Sequence, residues 1–254
     1  APEAGSQRLR DIINKGLTEE AILSGAREAF LGGWNKVKLY FMLGQPFETD
    51  EDVKAIPVLS DLIAREYYDA IPKSERNGRV SVQASTSFFV PKPFTPFQWA
   101  PMMRPEEFIR RAMLVKDGMK EQLNRKSLSY HYHNDLQTEL EGVFARGDRR
   151  VGKAILMAYE NGCMYDAWSD QMKYDVWMEC FEKCGISLDF YNCRERGEDE
   201  IFPWDFIDIG VTKAFLKREW KAAKEGHVTP NCRERCAGCG ARCYGGGVCF
   251  EDQA

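Results

Sequence analysis

A chain of 254 residues, 44% of them hydrophobic, is long enough for one to two domains with a substantial core, so disulfide staples are not required. Thirty-five basic against 39 acidic side chains leave a net charge of −4, which excludes the broad positive footprint of a general nucleic-acid binder while leaving room for a local basic patch. No apolar run approaches the roughly 20 residues that span a bilayer and no basic-then-apolar leader opens the chain, so the expectation is a soluble, cytoplasmic protein.

The chain begins with Glu3-Ala-Gly-Ser6, which sets a carboxylate and a hydroxyl beside a glycine at the entry to a helix over 7–14. Read alone, that is a helix cap. Thr18 followed by Glu19 and Glu20 caps a second helix of about four turns, in which Ile22, Leu23, Ala26, Ala29 and Phe30 repeat at helical spacing before Gly32 and Gly33. Over 36–42 Val37, Leu39 and Phe41 alternate with Lys38 and Tyr40, the pattern of a strand buried on at least one face. Gly44 and Pro46 turn the chain, Glu48 places an acid at a helix start, and Thr49 and Asp50 cap the helix that carries Val53, Ile56, Leu59, Leu62 and Ile63. Pro57 is expected to bend that helix.

A second strand spans 80–90 and ends in a proline-rich loop, and Arg104-Pro105 opens a third amphipathic helix. The order helix, strand, helix, strand, helix is that of a parallel α/β sheet. After residue 124 the pattern changes. A short strand with one polar face carries His131 and His133, which without a third partner read as hydrogen-bonded structural residues rather than ligands. Helices follow over 136–145, 148–161, 169–184 and 210–225. Arg146, Arg149 and Arg150 surround Asp148 and read as paired with acids such as Glu139 or Glu141, ahead of binding an anion. Trp168, Trp177, Trp204 and Trp220 read as core.

Nine cysteines are present, and Cys232, Cys236, Cys239, Cys243 and Cys249 crowd the last 23 residues. In a reducing compartment that clustering points to metal or cluster ligation. Cys232, Cys236, Cys239 and Cys243 supply four thiolates, enough for zinc or a 4Fe–4S cluster, with Cys249 as a spare. Cys163, Cys180, Cys184 and Cys193 read as small buried hydrophobes.

Taken jointly, Glu3-Ala-Gly-Ser-Gln-Arg8, Thr18-Glu-Glu20, Lys38-Leu-Tyr-Phe-Met-Leu-Gly-Gln-Pro-Phe-Glu-Thr49 and Phe89-Val-Pro-Lys-Pro-Phe-Thr-Pro-Phe-Gln-Trp99 resemble the back half of a radical S-adenosylmethionine barrel. The resemblance is closest to the subgroup usually built with a cobalamin-binding N-terminal domain. It extends through Glu141-Gly-Val-Phe-Ala-Arg-Gly-Asp-Arg-Arg150, Phe202-Pro-Trp-Asp205, Asp208-Ile-Gly-Val-Thr-Lys213 and the tail from Thr229 to Gly240.

The resemblance implies a 4Fe–4S cluster whose open iron binds S-adenosylmethionine and cleaves it reductively to a 5′-deoxyadenosyl radical. By the same resemblance Glu3 and Ser6 are ribose-side contacts, Arg8 helps hold the carboxylate, and Met42, Leu43 and Gly44, with Glu48 beside them, form the loop along the adenine. Members of that family hold the catalytic cluster on a Cys-x3-Cys-x2-Cys loop after the first barrel strand, and no residue before Cys163 is a cysteine. The catalytic ligands are therefore expected outside this chain, which alone should not make the radical. Cys232, Cys236 and Cys239 repeat the spacing, but in a tail with no strand before it, and read as an accessory site for a second cluster or zinc.

The expectation is thus an α/β fragment. Residues 1–126 form part of a parallel (β/α) barrel, 127–228 a mostly helical accessory domain, and 229–254 a metal-binding tail. The implied enzyme generates the adenosyl radical or transfers a methyl group with cobalamin, and it includes a missing N-terminal portion. An RNA or ribosome-linked substrate follows by analogy with related methylthiolation enzymes. The rival is a non-enzymatic zinc-binding module that presents Arg233, Arg235 and Arg242 to an acidic partner.

Overall fold

The structure, a computed structural model, describes residues 1–245, so Cys249 lies outside the described residues. They divide into two compact units, each discontinuous in sequence. The first takes Ala1–Phe88, Glu107–His133 and Ala222–Thr229. The second takes Phe89–Glu106, Asn134–Lys221 and the tail from Pro230.

The first unit is mixed α/β around a three-stranded sheet in the order β1 (Lys36–Leu43), β2 (Ser81–Phe88) and β3 (Leu128–Tyr132), all parallel. Its helices are α1 (Gln7–Ile12), α2 (Glu19–Leu31), α3 (Asp50–Ala70) and most of α4 (Pro105–Glu121). The caps read from sequence hold: Ser6 Oγ accepts from Leu9 N, Thr18 from Ala21 N, and Thr49 and Asp52 form a reciprocal capping box. Pro57 lies inside α3 without ending it. Its ring is buried, and at Gly118 of α4 a Cβ would stand 2.8 Å from Pro57 Cγ, so only glycine allows the two helices to approach there.

Register fixes which residues share a face, since parallel partners point the same way. One face carries Leu39, Phe41 and Leu43 of β1 with Val82, Ala84 and Phe88 of β2, all buried, and α3 packs on β2 and β3. Phe88 stacks on Phe108 of α4 at 4.6 Å. The other face carries Lys38, Tyr40 and Met42, then Gln83, Ser85 and Ser87, then Ser129, His131 and, just past the strand, His133. None of these nine is acidic. Lys38, Tyr40, Ser129, His131 and His133 are exposed, Met42, Gln83 and Ser87 are half-buried and Ser85 is buried, so this polar face is bare along β1 and β3.

The second unit is helical. Its α5 (Asp135–Arg146), α6 (Val151–Glu160) and α7 (Tyr174–Lys183) enclose Val143, Ala154, Ala158, Cys180 and Phe181, with Trp177 against them. A second cluster gathers Trp99, Phe202, Trp204, Leu216 and Trp220, the last two from α8 (Lys213–Glu225). Trp168 departs from expectation: it lies exposed in the connection between α6 and α7, where its ring meets Tyr165 at 6.1 Å. The arginine cluster also resolves differently. Arg150 pairs with Asp148 at 2.6 Å, whereas Arg146 is buried, pairs with no carboxylate among the described residues and donates to Tyr191 O and Ala100 O. Burial, with Arg196 and Arg194 nearby, lowers the Arg146 pKa to about 9. Glu141 pairs with Lys92, and Glu139 accepts from the Tyr174 hydroxyl. Among the described residues, no helix is long and apolar enough to cross a membrane.

Candidate ligand site at the strand tips

The two loops singled out in the sequence meet. Glu3 makes an isolated parallel bridge to Phe41: Glu3 N donates to Tyr40 O at 3.1 Å, and Met42 N donates to Glu3 O at 2.9 Å. The edge of β1 away from β2 is therefore occupied by the tip of another parallel segment, and the Glu3–Ser6 loop leaves from the same end of the sheet as the turn after β1. Gln45, fully buried, ties the loops with its Nε2, which donates to Glu3 O at 2.8 Å and Met42 O at 3.1 Å. Its Oε1 is buried with no partner among the described residues.

Arg10 holds the first loop from beneath. Its side chain is fully buried and donates to Ala4 O, Gly5 O, Leu17 O and Gln7 Oε1. Gly5 is required by contact: a Cβ there would stand 2.5 Å from Ile56 N. Both tips hold residues in the left-handed region, Glu3 at φ 65° and Phe47 at φ 64°, with Gly44 at 83°. Non-glycine residues kept there store backbone strain, which collects at functional sites.

Each residue read from sequence now has a place. The Glu3 carboxylate is a quarter exposed and lies 3.2 Å from Lys15 Nζ. Met42 is half-buried beside it, while Leu43 and Gly44 are buried. Ser6 and the half-exposed Arg8 both reach Asp52: Ser6 Oγ donates to Asp52 Oδ1 at 2.5 Å, Arg8 Nε donates to Oδ1 at 3.2 Å, and Arg8 Nη2 donates to Oδ2 and to Phe47 O. Burial alone would raise the Asp52 pKa, but the hydrogen bonds from Arg8, Ser6 and Thr49 outweigh it and bring it to about 2. Glu48 is likewise committed within the protein. Its carboxylate accepts from Gly44 N at 3.0 Å, from Gln45 N at 3.3 Å and from Arg111 Nη1 at 2.6 Å. Burial raises its pKa, and those partners pull against the rise.

Sequence reasoning missed Arg10, Gln45, Asp52 and Arg111. Only Asp52 had a local signal, as the third residue after the Thr49 cap. At the tips Gly44 N and Gln45 N are spent on Glu48 and Gln45 Oε1 is buried, so the quarter-exposed Glu3 carboxylate, shared with Lys15, is the acceptor this chain presents to a ligand, one that fits a ribose hydroxyl or an amine.

The cysteine tail is a separate feature. Cys239 O accepts from Thr212 N at 2.8 Å, and Cys239 Sγ from Ala241 N at 3.4 Å. Cys232, Cys236 and Cys243 are exposed, and among the described residues no three His, Cys, Asp or Glu side chains form a group that could hold a metal ion.

No family model matches the chain, and no solved structure matches it. Over 186 residues it is 29% identical to the uncharacterized protein MJ0966 of Methanocaldococcus jannaschii, a match covering 73% of this chain and 38% of that protein. The chain thus spans well under half the length of that relative.

Proposed function

We propose that this chain supplies the later strands of a radical S-adenosylmethionine barrel, with the tips at Glu3–Ser6 and Met42–Glu48 lying against the cofactor. The observation that carries this reading is the junction of the tips, where Glu3 pairs in parallel beside β1 and Gln45 donates to Glu3 O. Ligands of parallel α/β folds bind at that end of the sheet. The bare polar face supports the same reading, because parallel sheets are ordinarily covered on both sides and a closed barrel turns one face inward.

In this reading Glu3 holds the ribose hydroxyls and the backbone of Met42, Leu43 and Gly44 lies along the adenine. Ser6, Arg8 and Glu48 shape the two loops through Asp52 and Arg111 rather than touching the ligand. When bound, the cofactor supplies a hydrogen-abstracting 5′-deoxyadenosyl radical on one-electron reduction by a 4Fe–4S cluster held outside this chain. A cobalamin domain and a cytoplasmic setting belong to the same proposal.

Sequencing the transcript upstream of the Ala1 codon tests it. An in-frame Cys-x3-Cys-x2-Cys loop is expected, and anaerobic reconstitution of the full reading frame's product should release 5′-deoxyadenosine on reduction with S-adenosylmethionine. An upstream frame without that loop overturns the proposal.

A second reading rests on the tail. Cys232, Cys236, Cys239 and Cys243 stand in a segment where Gly238, Gly240 and Gly245 adopt positive φ, so the chain can fold back on a bound ion. If that ion is zinc and nothing else is bound, the chain is an interaction module presenting Arg233, Arg235 and Arg242. Stoichiometric zinc without iron, after anaerobic exposure to iron and sulfide, supports this rival over the enzyme.

A further inference from the structure

We propose that the bare face of the sheet binds a phosphorylated small molecule through Lys38, His131 and His133, with the half-buried Ser87 hydroxyl as a further donor. The proposal rests on the barrel reading only in calling that molecule a substrate. The binding surface itself stands on the sheet.

Three observations carry it. First, register puts the donors side by side: Tyr40, Ser85 and His131 form one row across the three strands, and His133 N donates to Thr86 O, which carries the next row from Met42 and Ser87 to His133. Second, the imidazoles of His131 and His133 are exposed and make no hydrogen bond or ion pair among the described residues, contrary to the structural role expected from sequence. Lys38 also lacks an ion pair among them and lies 4.9 Å from the centre of the Tyr40 ring. Third, the face holds cationic and neutral donors and no carboxylate, in a chain whose net charge is −4. Segregation of positive and donor groups on one face makes a local potential that attracts anions.

The chemistry narrows the anion. Donors rising side by side from parallel strands about 4.8 Å apart can meet the three free oxygens of a phosphate ester, one more than a carboxylate offers. The Tyr40 ring, 49% exposed, offers the apolar surface for the organic part. His131 and His133 stand in adjacent rows, and Lys38, from the row before them, extends its ammonium toward the Tyr40 ring in the row of His131.

The chain has three histidines, and His227, beside Glu225, serves as an internal control. Ribose 5-phosphate titrated against the imidazole NMR signals should shift His131 and His133 along a saturating curve and leave His227 unmoved. Lys38→Met should weaken the binding about tenfold, the loss of one charge-assisted contact, and His131→Gln with His133→Gln should abolish it in equilibrium dialysis against radiolabelled ribose 5-phosphate. Unphosphorylated ribose should give no shift. Equal shifts with ribose, or no saturation, overturn the proposal. A response confined to oligouridylate and tightening with its length overturns it in favour of RNA. If the titration fails while the upstream cluster loop is found, the barrel stands without this surface. The opposite pair of results leaves the phosphate surface on a sheet of another fold.

Discussion

Arg111 Nη1 donates to Glu48 Oε1 at 2.6 Å, joining α4 to the turn after β1, and the two side chains are only 9% and 1% exposed. The pair fixes the loop whose backbone would face the cofactor, because the same carboxylate accepts from Gly44 N and Gln45 N. Arg111→Met would leave Glu48 buried without its cation, a change that costs about 3–5 kcal/mol. Urea unfolding should show that loss, and adding Glu48→Gln should restore part of it. An additive double variant would mean that the two residues do not act as a pair.

Asp52 makes the first unit sensitive to acid. Its carboxyl is lowered from the ordinary 3.8 to about 2, so its charged form stabilises the fold above pH 4 and the contribution is lost as pH falls through 2. The displacement is worth about 2 kcal/mol. Stability measured from pH 5 to 2 should fall accordingly, and Asp52→Asn should flatten that part of the profile. A parallel slope in the variant would assign the acid sensitivity elsewhere.

Gly5 lies against the backbone of α3, where a Cβ would stand 2.5 Å from Ile56 N and 2.8 Å from Ala55 C. Backbone cannot yield as a side-chain tip does. Gly5→Ala should therefore lower stability by about 1–3 kcal/mol and move the Glu3–Ser6 loop away from α3. A thermal midpoint equal to that of the parent would show that the loop has slack.

Gln45 ties the two tips through Glu3 O and Met42 O. Leucine has similar bulk and no donor, so Gln45→Leu should cost about 1–3 kcal/mol. It should also speed hydrogen exchange at Met42 N, whose partner is Glu3 O. Unchanged exchange would mean that the strand bridge holds without the amide.

The tail provides a metal test independent of the sheet. Purified chain reconstituted with iron and sulfide, or with zinc, should bind close to one equivalent of cluster or ion, and Cys236→Ser with Cys239→Ser should release it. Absence of bound metal by elemental analysis would remove the tail from both functional readings.

Much of the scaffold was legible in the residues themselves. Ser6, Thr18 and Thr49 announced three helix starts, and the alternation of Leu39 and Phe41 with Lys38 and Tyr40 announced β1 and its faces. Pro105 marked the start of α4. Less legible was β3, a five-residue strand read after the alternation of strands and helices had broken down, which the structure seats in parallel beside β2. Trp168 reads as core because aromatic residues usually bury, yet it stands 62% exposed in the connection between α6 and α7.

Local chemistry was written in the order of residues, because caps, turns and strand faces depend on neighbours one to four positions apart. The use of each polar group at the tips was settled by folding. Ser6 found Asp52 across 46 positions and Glu48 found Arg111 across 63, partners that no local pattern announces. Burial then made those pairings compulsory, since a carboxylate taken out of water must be met by donors, and which donors arrive is decided only when distant helices pack.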